Sequence, residues 1–186
     1  AALRVVLAAI ALVGFGVGSV IVAVAGYAEA AGSTAWAGWL LAAQAAGALM
    51  GGLAYTRVHV SDERRWLPWL TAALAAGYSI LLLTPAPPAM IALMAISGLA
   101  LPPLLTATFI TVDTVAPAGT AAEAFAWVAT SFTIGSAAGS ALDGALVDST
   151  GSLLAGFALP PAAIALAALV FAAARGVRQT DGPTGP

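Results

Sequence analysis

Apolar residues fall into six long blocks, each ended by a short polar or Gly/Pro-bearing break. The blocks cover about 4–28, 35–56, 66–84, 89–112, 121–146 and 153–174. Crossing a hydrocarbon core of about 30 Å takes roughly 20 helical residues at about 1.5 Å each, so every block is long enough to cross a membrane as a helix. The breaks are Glu29 with Gly32-Ser33-Thr34, the polar stretch Arg57 to Arg65, Thr84-Pro85-Ala86-Pro87-Pro88, Asp113 with Ala116-Pro117-Ala118-Gly119, and Asp148-Ser149-Thr150-Gly151. The pattern predicts an all-α membrane protein with six transmembrane helices over residues 1–175. Residues 176–186 are polar and Gly/Pro-bearing and read as a disordered cytoplasmic tail. The first block is too long for a signal-peptide core of about 7–15 residues.

Composition sharpens this reading. Of 186 residues, 61% are hydrophobic and 8% charged, with a mean hydropathy of +1.01. A soluble domain is nearer 25% charged, so this chain cannot clothe itself in polar surface. The net charge of −2 leaves no basic face for nucleic acid. There is no Cys and a single histidine, His59, so neither a thiolate nor a multi-histidine metal centre can be built.

The arginines set a sidedness. Arg4 precedes the first span, Arg57, Arg64 and Arg65 lie between the second and third, and Arg175 and Arg178 follow the sixth. All six fall on one side, with His59, whereas the opposite turns hold only Glu29 and Asp148. The positive-inside rule makes the arginine side cytoplasmic and puts both segment ends there, in the inner membrane of a cell. Tyr27, Trp36 and Trp39 are expected at the outer interface, and Tyr55, Trp66 and Trp69 at the inner one. Trp127, about two turns into the fifth span, needs packing or a cavity wall to explain it.

Small residues repeat at four-residue spacing in Gly14/Gly18, Gly47/Gly51 and Gly135/Gly139, which predicts close helix packing. Pro102-Pro103 near the middle of the fourth span should break that helix, and such breaks line cavities in transporters.

The order of features resembles the C-terminal half of a major facilitator superfamily transporter. Gly51-Gly52-Leu53-Ala54-Tyr55-Thr56-Arg57 is similar to a degenerate second copy of the family's cytoplasmic loop motif, with Tyr55 where the motif has Asp. Gly135 to Gly144 is similar to the pseudo-symmetric counterpart of the family's glycine-rich antiporter motif, without its proline, and Glu123 to Trp127 and Gly144 to Gly151 look like parts of bacterial drug-efflux members. The resemblance implies two inverted three-helix repeats and ion-gradient-driven efflux of a small molecule, without a cofactor. It also implies a missing N-terminal six-span half, which the start without Met favours, or a homodimer mate. By family analogy spans one and four would face the central cavity.

Candidate substrate or coupling residues are the ionisable and amide groups inside the spans. Gln44, near the midplane of span two, either binds substrate or cross-links helices. Asp143, one turn before the outer end of span five, either titrates in a proton pathway or sits as a hydrated surface carboxylate, and nearness to the interface favours the second. Thr120-Ala121-Ala122-Glu123 reads as a capping box, giving Glu123 a helix-cap role ahead of proton coupling. Asp113 opposes the dipole at the end of span four and calls for a partner. Enzyme readings fail, since no H-E-x-x-H occurs and no Lys or buried His accompanies a serine. The alternative to transport is a membrane scaffold or assembly subunit.

Overall fold

The computed structural model describes residues 2–57, 63–84, 86–117 and 119–179, with side chains over 3–174 of these. His59 and the tail residues 180–186, both assigned to the arginine side, lie outside the described residues, as do the side chains of Arg175 and Arg178. Every regular element among the described residues is helical: α1 (Ala2–Ala30), α2 (Ala35–Tyr55), α3 (Glu63–Ser79) with a 3-10 extension (Ile80–Leu83), α4 (Pro87–Gly98), α5 (Leu101–Val115), α6 (Ala121–Thr150) and α7 (Leu153–Gln179). With α4 and α5 together forming the fourth, six helices are long and apolar enough to cross a membrane, which makes this a multi-pass membrane protein.

The helix ends follow local chemistry. Gly32 adopts φ +82°, and the amides of Gly32 and Ser33 donate back to Glu29 and Ala28, closing α1 in a Schellman motif. Gly151, at φ +62°, donates to Val147 in the simpler left-handed cap, which carries α6 through Asp148, Ser149 and Thr150 to Gly151. The last helix continues to Gln179, five residues past the apolar block and into the tail read as disordered.

The helices pack as two triplets, α1/α6/α7 and α2/α3/α4–α5, joined along α3 and α7. Each triplet is sealed by a glycine seam between parallel helices. In the first, a Cβ added at Gly14, Gly18, Gly135 or Gly139 would lie 2.2, 2.0, 1.9 or 2.0 Å from the carbonyl oxygens of Phe132, Ser136, Ala11 and Phe15, respectively. Ser19 donates to Gly139 O at 3.2 Å, and Ser140 donates to Gly18 O at 3.0 Å, so the seam carries a reciprocal pair of hydrogen bonds. In the second triplet, Cβ atoms at Gly47, Gly51 and Gly98 would lie 1.8, 1.9 and 2.2 Å from the carbonyls of Ala95, Leu99 and Gln44. The close packing read from the three glycine pairs is present at all three.

Tyr27 departs from the sequence reading. It is buried against protein, where an interfacial ring would be open to headgroups, with its ring edge-on to Phe157 at 6.3 Å. Gly26 lets Leu153 approach, so the start of α7 covers this end of α1. Trp39, Trp66 and Trp69 are exposed.

The seam makes a contrast in cost between glycines. Gly139→Ala drives a methyl into backbone and is expected to destabilise the protein by about 1–3 kcal/mol, whereas Gly144 on the same helix, where an added Cβ would meet only a Val22 methyl at 3.9 Å, tolerates Ala. Reversible unfolding in mixed detergent micelles measures both. Equal midpoints for the two variants would contradict the seam.

Candidate functional site

Asp143 lies on the stripe of α6 that begins with Gly135 and Gly139, one face at four-residue spacing. It is fully buried, and neither carboxylate oxygen has a hydrogen-bond partner among the described residues. The space it occupies is made by Gly156 of α7, where an added Cβ would stand 3.3 and 3.4 Å from the two oxygens and 2.9 Å from a Val147 methyl. The reading of Asp143 as a hydrated surface carboxylate is therefore overturned. The cause is the two-residue connection at Gly151 and Ser152, which turns α7 back over the last turns of α6. An ionised carboxylate held there without a donor is costly, so Asp143 must be matched by something it binds: a proton, a cation or a donor.

Gln44 links three helices. Its Nε2 donates to the Tyr78 hydroxyl at 3.2 Å and lies 3.5 Å from the Ser97 hydroxyl, which itself donates to Met94 O. Tyr78 and Ser97 are buried and Gln44 is half-buried. These hydrogen bonds are the ones a cross-linking Gln44 would make. Thr108 is also buried, its hydroxyl returned to Leu104 O one turn back.

Pro102 and Pro103 stand at the first turn of α5, immediately after the break at Leu99 and Ala100. Neither proline has an amide hydrogen for the carbonyls of Gly98 and Leu99, and the Leu99 carbonyl instead points at Gly51. The expected break is thus present. Beside it opens an apolar groove of about 340 Å³, lined by Gly51, Ala54, Tyr55, Leu70, Leu99, Ala100 and Pro103. The Tyr55 hydroxyl donates to the Glu63 carboxylate and ties the end of α2 to the start of α3. Arg57, two residues on, is exposed.

The capping box at the start of α6 is not formed. The Thr120 hydroxyl donates to Pro117 O at 2.9 Å, inside the turn that begins at Pro117, and makes no cap. Glu123 accepts from the Trp127 indole at 3.4 Å on the exposed face of α6, so a neighbour one turn on has taken the carboxylate. Trp127 itself is 52% exposed, and neither core packing nor an internal cavity wall accounts for it. Asp113 is exposed in the last turn of α5. The candidates therefore do not converge on one site. Asp143 sits in the first triplet, Gln44, Gly51 and the prolines in the second, and Glu123, Trp127 and Asp113 on the surface. Among the described residues no three His, Asp or Glu side chains gather as a metal site.

Sequence reasoning passed over Tyr78 and read Ser97 with Gly98 only as a small-residue helix pair, because neither carries a further signal until helices are paired. It also passed over Pro160-Pro161, buried inside α7 one turn after Gly156, where the doublet itself was the signal. Comparison with protein-family models, curated proteins and solved structures yields no match to this chain.

Gln44→Leu leaves the buried Tyr78 hydroxyl without its donor, and about 1–3 kcal/mol of stability should be lost. Adding Tyr78→Phe should restore part of it, as a double-mutant cycle in detergent unfolding would measure. Strict additivity of the two changes would show that the amide and hydroxyl do not interact.

Proposed function

We propose that this chain is one six-helix half of a secondary active transporter of the major facilitator type, moving a small molecule at the expense of an ion gradient. The observation that carries the proposal is Asp143, fully buried in a membrane-spanning helix with neither oxygen paired. Packing alone would be served by any small apolar residue beside Gly156, so a carboxylate in this place is kept for what it binds. A proton is the simplest occupant, since the α7 residue facing the carboxylate is Gly156, which brings no side chain, and among the described residues no two further acid or histidine side chains gather there to complete a metal cation's oxygen shell.

Two further features support the reading. An inversion that carries spans one, two and three onto four, five and six takes the parallel α1–α6 seam onto the α4–α2 seam, and takes the α3–α7 contact onto itself. That correspondence fits two inverted three-helix repeats. The interrupted fourth span fits the broken helices that transporters place beside their binding sites.

The second six-span unit, another half or a second copy, covers α2 and α6. These two spans are the least buried, and each exposes small residues: Gly38, Ala42 and Ala46 on α2, with Ala126, Thr133, Ala137 and Ala141 on α6. Such faces suit another helix better than lipid. A scaffold subunit would use the same faces but has no use for a buried acid. The arginine-bearing end lies in the cytoplasm.

Asp143→Asn keeps the volume and removes the titrating group. Energised everted vesicles should accumulate at least one solute from a panel of small apolar compounds, collapsing with a protonophore. The Asn variant should fall at least tenfold at unchanged membrane level, and undiminished accumulation would refute the role of Asp143. For sidedness, fusion reporters at Arg64 and after Arg178 are expected to report cytoplasm and one at Pro87 the outside. An external signal at Arg64 would invert the topology.

A further inference from the structure

We propose that the groove beside the break in the fourth span binds one anionic phospholipid, with an acyl chain along the groove and the phosphate at Arg57 and Arg64. The groove's lining is almost wholly apolar and it is open along one side, so it offers a soluble ion no ligand and a hydrocarbon chain a matching surface. Its direction is set by two helix faces. On α2 the face runs from Gly51 to Tyr55, and on α3 it runs from Leu70 back through Trp66 to Glu63, at four- and three-residue spacing. The two faces meet where the Tyr55 hydroxyl donates to Glu63. The mouth of the groove is therefore at the arginine-bearing end.

Charge complements this mouth. Arg57 follows Tyr55 by two residues and is exposed, and Arg64 follows Glu63 and is half-buried. Arg65 stands next to them with an interaction of its own. The connection holds three arginines, Arg57, Arg64 and Arg65, against the two acids Asp62 and Glu63, so its net charge is positive. The Glu63 carboxylate is turned to the Tyr55 hydroxyl, which leaves the arginine head groups as the feature a phosphate would meet. Trp66 and Trp69, 47% and 69% exposed, stand on the first turns of α3, where indole rings favour the level of lipid headgroups. Basic pockets between membrane helices, close to the cytoplasmic surface, are the recurring way proteins hold anionic headgroups.

The test is native mass spectrometry of the purified 186-residue chain with equal amounts of phosphatidylglycerol and phosphatidylcholine. One phosphatidylglycerol per chain should be retained, with a preference on the order of tenfold or more for two basic contacts. Arg57→Gln with Arg64→Gln should abolish the preference, while Arg4→Gln leaves it. Ala54→Phe, which fills the groove without touching an arginine, should lower retention of both lipids, and glycerol phosphate alone should not compete. Circular dichroism of each variant separates loss of binding from loss of fold. Equal retention of the two lipids, a preference that survives the double arginine variant, or effective competition by glycerol phosphate would each overturn the proposal. So would unchanged retention in a folded Ala54→Phe variant, which would leave the groove to a covering protein segment.

Discussion

Contact between backbones at glycine is the interaction on which this bundle depends. Lipid supplies no hydrophobic force to press helices together, so the stabilisation must come from close approach and from hydrogen bonds between helices. Gly14, Gly18, Gly135 and Gly139 bring α1 and α6 so near that a single added carbon would enter a carbonyl oxygen. The Ser19 and Ser140 hydroxyls then reach the opposite backbone. Gly47, Gly51 and Gly98 do the same for α2 and α4. The other contacts, including the junction of α3 with α7, are arranged around these two seams.

The seams also fix where chemistry can occur. Continuing the α6 glycine stripe one further turn brings Asp143, so the packing that holds α1 to α6 also carries a carboxylate into the interior. Gly156 leaves it room but no donor. On the other seam, Gly51 meets the Leu99 carbonyl just where Pro103 has no amide to offer it, which lets the fourth span break without leaving α2. One seam thus carries a buried acid, and the other a broken helix with a groove beside it.

Much of this was legible in the chain itself. Six spans follow from apolar length and from breakers such as Gly32 and Gly151, whose left-handed backbones end α1 and α6. The glycine pairs and the break at Pro102-Pro103 are likewise local patterns. What was not legible depends on which helix lies across which. The burial of Asp143 needs α7 folded back over α6, and Tyr27 is interfacial by position but lies under Phe157. Gln44 has two equal roles until Tyr78 and Ser97 arrive from other helices. The capping box failed for a nearer reason, since Pro117 and Trp127 compete for Thr120 and Glu123 within the same turns.

The central proposal is that Asp143 is a site reached in turn from the two sides of a membrane, and the absence of cysteine from these 186 residues makes it directly testable. Asp143→Cys, the one cysteine of this chain, is probed in native membranes with a membrane-impermeant thiol reagent from each side, with and without an imposed proton gradient, against the unsubstituted protein as background. The account predicts labelling from both sides, with the gradient shifting the ratio of the two rates. A thiol that reacts from neither side under any condition would contradict it, and would leave a sealed bundle in place of a transporter half.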